Sequence, residues 1–125
     1  MPSFFEDVCQ SIIDLDKTIR FAGIANMQGT IVSAKYRAGL VPLITQEETI
    51  QSLEHSVLRM STRRLMEPKL GKTIYSITFY EKVKRAVFPI GKEGNFILIV
   101  SFDNEADHDS IIRNKIMPLT RDNQS

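Results

Sequence analysis

Apolar residues near the start recur at helical spacing: Phe5, Val8, Cys9, Ile12 and Leu15 share one side of a 3.6-residue repeat. Ser3 and Glu6 ahead of them form an S-x-x-E capping box, which satisfies free backbone donors at a helix start. Together they predict a helix over about residues 4–16. The pattern then changes to strand-like runs. Ile19 to Asn26 and Thr30 to Tyr36 read as two strands around the turn Asn26-Met27-Gln28-Gly29, where Gly29 supplies a positive φ. After Arg20 the first strand is apolar throughout (Phe21, Ala22, Gly23, Ile24, Ala25), which predicts burial on both faces.

Gly39 and Pro42 make residues 37–44 a connector. Thr45 and Glu48 form a second capping box. A helix over about 46–66 follows, with Ile50, Leu53, Val57, Met60 and Leu65 as its expected buried stripe and Pro68 and Gly71 as its end. His55, Arg59 and Arg63 fall at i, i+4 and i+8 on another face. Three strand-like runs come next, over 73–82, 84–90 and 95–102, with a turn near Val83 and the glycine-framed turn Gly91-Lys92-Glu93-Gly94. Phe96 to Val100 is continuously apolar. The acidic stretch Asp103 to Asp109 reads as a turn. Asp107 or Asp109 caps a last helix in which Ile111, Ile112, Lys115 and Ile116 recur as far as Pro118. Residues 121–125 are polar and read as a loose tail, so 1–120 is expected to form one domain.

The order is therefore α-β-β-α-β-β-β-α. The hairpin connections are too short for parallel crossovers. Placing the two all-apolar strands side by side in the interior predicts an α+β fold with a five-stranded antiparallel sheet in the order 2-1-5-4-3. Residues 73–82 then form one edge. Tyr75, Ile77 and Phe79 alternate there with Ile74, Ser76, Thr78 and Tyr80, and no charge or proline occurs from Thr73 to Tyr80. Open edges ordinarily carry such protection, and its absence points to a paired edge. Thr73, Tyr75, Ile77, Thr78, Phe79 and Tyr80 are the candidate contacts between two copies, helped by the long helix. If the strand lay inside the sheet instead, its lack of charge would need no partner.

Composition narrows the class. The chain has 125 residues, 42% hydrophobic and 25% charged, as expected for one globular core. Its single cysteine, Cys9, excludes an internal disulfide and agrees with a reducing cytoplasm. Cys9 falls on the apolar stripe and reads as a small core hydrophobe rather than a reactive thiol. No stretch approaches the roughly 18 apolar residues of a membrane span. The first residues lack the basic region and apolar run of a secretory signal.

Charge is +1 in total but uneven: residues 1–58 carry four bases and seven acids, 59–92 nine bases and two acids, and 93–125 three bases and six acids. Arg59, Arg63, Arg64, Lys69, Lys72, Lys82, Lys84 and Arg85 could therefore form a basic patch for nucleic acid, an acidic protein or a membrane surface. The plainer reading is that helix ends and hairpins are often lysine-rich. The near-neutral total weighs against nucleic acid.

No catalytic set stands out. His55 and His108 lack metal-ligand spacing, and Ser61 and Ser101 lack a nucleophile context. The Gly91 to Gly94 turn lacks the spacing and trailing residues of a phosphate loop. The Asp103 to Asp109 stretch lacks the glycine and distal glutamate of a calcium loop. The expectation is a non-enzyme without metal or cofactor.

The element order resembles the roadblock/LC7 (dynein light chain) family and its profilin-like relatives over nearly the whole chain. The hairpin Phe21-Ala22-Gly23-Ile24-Ala25-Asn26-Met27-Gln28-Gly29-Thr30-Ile31-Val32 resembles that family's opening hairpin, which a glycine closes. Arg37-Ala38-Gly39-Leu40-Val41-Pro42-Leu43 resembles small proteins of ammonia-oxidising archaea (Thaumarchaeota), as does Lys69-Leu70-Gly71-Lys72-Thr73-Ile74-Tyr75 running into Tyr80-Glu81-Lys82-Val83-Lys84-Arg85. That second resemblance implies no activity. The roadblock resemblance implies homo- or heterodimers that pair through an edge strand and the long helix, often in regulating small GTPases. It transfers no nucleotide-contacting residue. The alternative is a PAS- or profilin-like sensor that holds a small ligand between sheet and helices, with Tyr36-Arg37 as gate and Arg37 meeting an anion. Against it, PAS domains usually have several short helices where this chain has one long one.

Overall fold

The computed structural model describes residues 4–122. Ser3 of the first capping box and residues 123–125 of the expected tail lie outside the described residues. The first helix, α1 (Phe4–Ile13), buries Val8, Cys9 and Ile12. It stops short of residue 16 because Asp16 takes both the backbone N–H of Thr18, at 2.9 Å, and its hydroxyl, at 2.7 Å. Such local side-chain bonds compete with helix and turn the chain into the sheet.

β1 (Ile19–Asn26) and β2 (Ile31–Tyr36) form the opening hairpin. The Asn26 side chain accepts the N–H groups of Gln28 and Thr30 at 3.0 Å each, and Gly29 takes φ 86°. Gly23 answers a packing need. A Cβ there would stand 2.6 Å from the tip of the Phe21 ring, which lies over the strand at that point.

The long helix α2 runs over Gln46–Arg64, and both halves of its capping box form: Glu48 N–H to Thr45 Oγ1 at 3.0 Å and Thr45 N–H to Glu48 Oε1 at 2.8 Å. Its buried face is Thr49, Leu53, Ser56, Val57 and Met60. Two expected members of the stripe are not on it. Ile50 sits at the margin, 40% exposed, and Leu65 lies beyond the last helical residue, 77% exposed. Pro68 does not end this helix. It opens a short one, α3 (Glu67–Leu70), where its missing N–H costs nothing, and Gly71 closes that.

β3 (Ser76–Phe79), β4 (Val83–Ile90) and β5 (Phe96–Asp103) complete a sheet in the order β2-β1-β5-β4-β3, antiparallel throughout. This is the expected order. β3 is much shorter than the expected 73–82. Ser76 pairs with Val87, so extending the ladder would set Ile74 opposite Pro89, which has no N–H to donate. At the other end Tyr80 N–H bonds Val83 O at 2.9 Å, so the expected turn near Val83 has Glu81 and Lys82 at its centre. Gly91 to Gly94 joins β4 to β5 through a 3-10 turn over Lys92–Gly94.

α4 (His108–Ile111), a π-helical stretch (Ile112–Ile116) and α5 (Met117–Asp122) follow without a break. Asp107 caps this helix, accepting the Ser110 N–H at 3.3 Å. It does not stop at Pro118. A π turn bonds Met117 N–H to Ile112 O, widening the helix just before the proline ring that would otherwise crowd the preceding turn. Arg121 and Asp122 are thus helical rather than loose.

The sheet separates two packed layers. α1 and the C-terminal helix cover Ala22, Ile24, Phe88, Leu98, Val100 and Phe102 on one face. α2 covers Phe21, Ala25, Ile97 and Ile99 on the other, through Leu53, Val57 and Met60.

Candidate interaction surfaces and a cavity under the long helix

β3 is an edge: among the described residues no strand pairs with its outer side. Ser76 and Ile77 are half-buried, Thr78 and Phe79 exposed, and Tyr80 is 50% exposed just beyond. Thr73 and Tyr75 precede the strand, and the Tyr75 ring stacks on Phe88 at 5.5 Å, facing the core. The candidate contacts are therefore not one flat strip. Phe79 is 64% exposed, and its ring centroid lies 5.2 Å from that of His108 in an edge-on arrangement. The opposite edge, β2, carries Lys35, a charge of the kind that blunts unwanted pairing.

The basic residues do not all meet. Lys84 and Arg85 are neighbours in β4 and so point to opposite faces of the sheet. Lys84 Nζ donates to Ala106 O at 2.7 Å and lies 3.0 Å from His108 Nδ1, pinning the loop before α4. Arg64 donates to the carbonyl of Gly94. Arg59, Lys69, Lys72 and Lys82 are exposed and Arg63 is half-buried. Arg85 lies under α2, where its Nη1 bonds Ser52 Oγ.

Arg37 is not a free gate. It donates to Asp103 at 2.8 Å, and Arg20 donates to the same carboxylate at 3.0 Å. The Arg37 hydrogen bond, the larger influence, and the Arg20 bond hold the Asp103 carboxyl below its usual range, against the opposing effect of burial. Other acids of that stretch are engaged too: Asp107 caps α4 and Asp109 pairs with Arg113 at 3.1 Å. Among the described residues no group of three His, Cys, Asp or Glu side chains is placed to hold a metal ion. Nor is any described helix long and apolar enough to cross a membrane.

A half-open cavity of about 500 Å3 lies between the first half of α2, the connector and the sheet. A row across the sheet forms its floor: Tyr36, Phe21, Ser101 and Arg85 are paired in turn across β2, β1, β5 and β4. The Tyr36 and Phe21 rings lie 4.9 Å apart. Above them α2 presents small polar residues, Thr49 and Ser52, which leave room that a leucine would fill. Leu40, Leu43 and Ile44 of the connector close one side. The sequence carried signals for this cavity in Thr49, Ser52 and Ser101, small residues at inward positions, but apolar periodicity passes over them.

No protein-family model matches the sequence, and no curated protein matches it. Solved structures do match in fold. The roadblock/LC7 domain from Streptomyces avermitilis superposes with a TM-score of 0.73 at 13% identity, covering 96% of this chain and 94% of that one. MglB of Myxococcus xanthus gives 0.71 at 13% identity, covering 95% and 93%. A structure of MglB in a tetrameric arrangement gives 0.66 at 14% identity, covering 94% and 88%. At such identities the likeness concerns the backbone architecture alone, and it does not bear on the resemblance to thaumarchaeal proteins. With its 2-1-5-4-3 antiparallel sheet between α1 and the C-terminal helix on one face and α2 on the other, the chain has the roadblock/LC7 fold.

Proposed function

We propose that this protein is a non-enzymatic interaction module of roadblock type, working as a homodimer joined along β3 with help from α2. Thr73, Tyr75, Ile77, Thr78, Phe79 and Tyr80 are its proposed contacts. The observation that carries the reading is the edge itself. Ser76 to Phe79 has unpaired backbone on its outer side, no charge, no proline and a largely exposed Phe79. Open edges of this composition pair with another chain. Exposed apolar residues on and after α2 add surface for the same contact: Leu58, Leu65 and Leu70 are 65%, 77% and 79% exposed. An MglB neighbour in a tetrameric arrangement supports assembly as a property of such domains.

The joined pair serves as a regulator or scaffold for a second protein, a small GTPase being the class that the roadblock resemblance implies. Of the basic residues, the exposed Arg59, Lys69, Lys72 and Lys82 are those open to an acidic partner. Solution mass by light scattering over a hundredfold range of concentration tests the reading. Twice the chain mass throughout is the expected result, and a persistent monomer overturns the homodimer.

A further inference from the structure

Arg85 is in an unusual position for an arginine. A guanidinium offers five N–H donors and stays charged at any physiological pH. Here Ser52 Oγ accepts from Nη1, while Nε is sealed from solvent and has no hydrogen-bond partner. No carboxylate forms an ion pair with it among the described residues. Burial, the largest influence, pushes its pKa down and Arg59 adds to this, while Tyr80 and Tyr36 act the other way. A half-buried cation with no counter-charge is costly unless something supplies one.

The space beside it is suited to that. The cavity falls within the range of about 300–1,000 Å3 usual for small-molecule sites. Apart from Arg85 its walls are largely apolar, with a few polar groups converging on the floor, among them the Tyr36 hydroxyl 3.5 Å from Thr49 Oγ1. The two acids at its margin do not answer Arg85: Glu48 is occupied by the capping box, and Glu81 is exposed on the β3–β4 turn. Two connector residues on its wall, Leu43 and Ile44, are left 59% and 43% exposed, an apolar lip without cover.

We infer that this cavity binds a small amphipathic anion, its carboxylate meeting Arg85 and its apolar body lying against Phe21 and the connector residues Leu40, Leu43 and Ile44. The inference goes beyond dimer formation, because the whole site is built within one chain. The ligand brings the counter-charge that the fold omits and covers the apolar lip. Arg20, which also lines the cavity, and Arg37 are both engaged by Asp103, whose single carboxylate they share.

Calorimetric titration with decanoate, and with decanol as its uncharged counterpart, tests this. Decanoate is expected to bind once per chain, about tenfold or more tighter than decanol, as fits a charge-assisted hydrogen bond. Arg85→Gln should reduce decanoate to the decanol level and leave decanol unchanged. Ser101→Phe, which fills the floor and keeps Arg85, should abolish binding of both. Equal affinity for decanoate and decanol, undiminished decanoate binding by Arg85→Gln, or no decanoate binding by the unaltered chain would each overturn the inference. If Arg85→Gln does not fold, the decanoate-to-decanol ratio and Ser101→Phe decide it. The cavity lies within one chain and shares only Tyr80 with the proposed dimer contacts, so light scattering on the same samples separates failure of the site from failure of the dimer.

Discussion

Asp103 at the end of β5 lies 2.8 Å from Arg37, just past the end of β2, although 66 residues separate them in the chain. Arg20 of β1 takes the other carboxylate oxygen at 3.0 Å. One carboxylate thus clips three strands at one end of the sheet. Asp103→Ala should cost about 2 kcal/mol, since it strands two partly buried guanidiniums beside each other. Urea unfolding at neutral pH measures it. The same clip sets an acid response. The carboxyl's folded pKa is lowered, so its contribution is full above the ordinary aspartate value of about 3.9 and is lost as pH falls through the lower folded value. The gap in stability between the parent chain and Asp103→Ala should therefore close as pH drops below about 4. A gap that stayed constant to the acid limit would mean that the loss does not come from the ionised carboxylate.

Leu53 and Ile50 are three residues apart on α2 but differ in what surrounds them. Leu53 is fully buried against the sheet and Ile50 is 40% exposed. Leu53→Ala should destabilise by about 3 kcal/mol through the lost transfer energy and the cavity left behind. Ile50→Ala should cost under about 1 kcal/mol. Thermal and urea unfolding of the two variants side by side checks this. Equal losses would place Ile50 in the core after all.

The order of the elements was legible because the strongest local signals agree. Two strands apolar on both faces must lie inside a sheet, and short hairpins fix their antiparallel neighbours. What escaped depends on residues distant in sequence. β3 is short because of Pro89, on the strand it pairs with. The last helix crosses Pro118 because the turn before it widens. Arg37 meets Asp103 rather than a ligand, and no local pattern announces that pairing. Arg85 was readable only as one of a run of bases, since charge counting ignores which face of β4 each side chain takes. That alternation puts Lys84 on one side of the sheet and Arg85 in a cavity on the other.

Cys9 is fully buried in the layer between α1 and the sheet. Burial pushes its thiol up from the ordinary value, and the Ser33 hydroxyl and Lys35 offset this only in part. The thiolate is the reactive species, so both access and ionisation oppose modification. Reaction with an aromatic disulfide reagent at pH 7.5 should be more than about tenfold slower in the native chain than in urea. It should accelerate with denaturant in step with unfolding. Rapid stoichiometric labelling of the native chain would show that α1 opens easily, and that the thiol is not a settled part of the core.

The edge strand gives the sharpest contrast within two adjacent residues. In an antiparallel pair successive residues alternate in hydrogen bonding, so of Ile77 and Thr78 one directs its N–H to β4 and the other outwards. Proline removes that N–H in either case. At the inward position it should break a ladder bond and lower stability by about 1–3 kcal/mol. At the outward position the fold should survive and self-association should be lost. The pair Ile77→Pro and Thr78→Pro, each followed by circular dichroism and light scattering, is expected to yield one destabilised chain and one folded monomer. Two folded dimers would remove β3 from the interface and direct attention to the exposed residues of α2. A parent chain already monomeric would leave the uncharged edge open to a different partner.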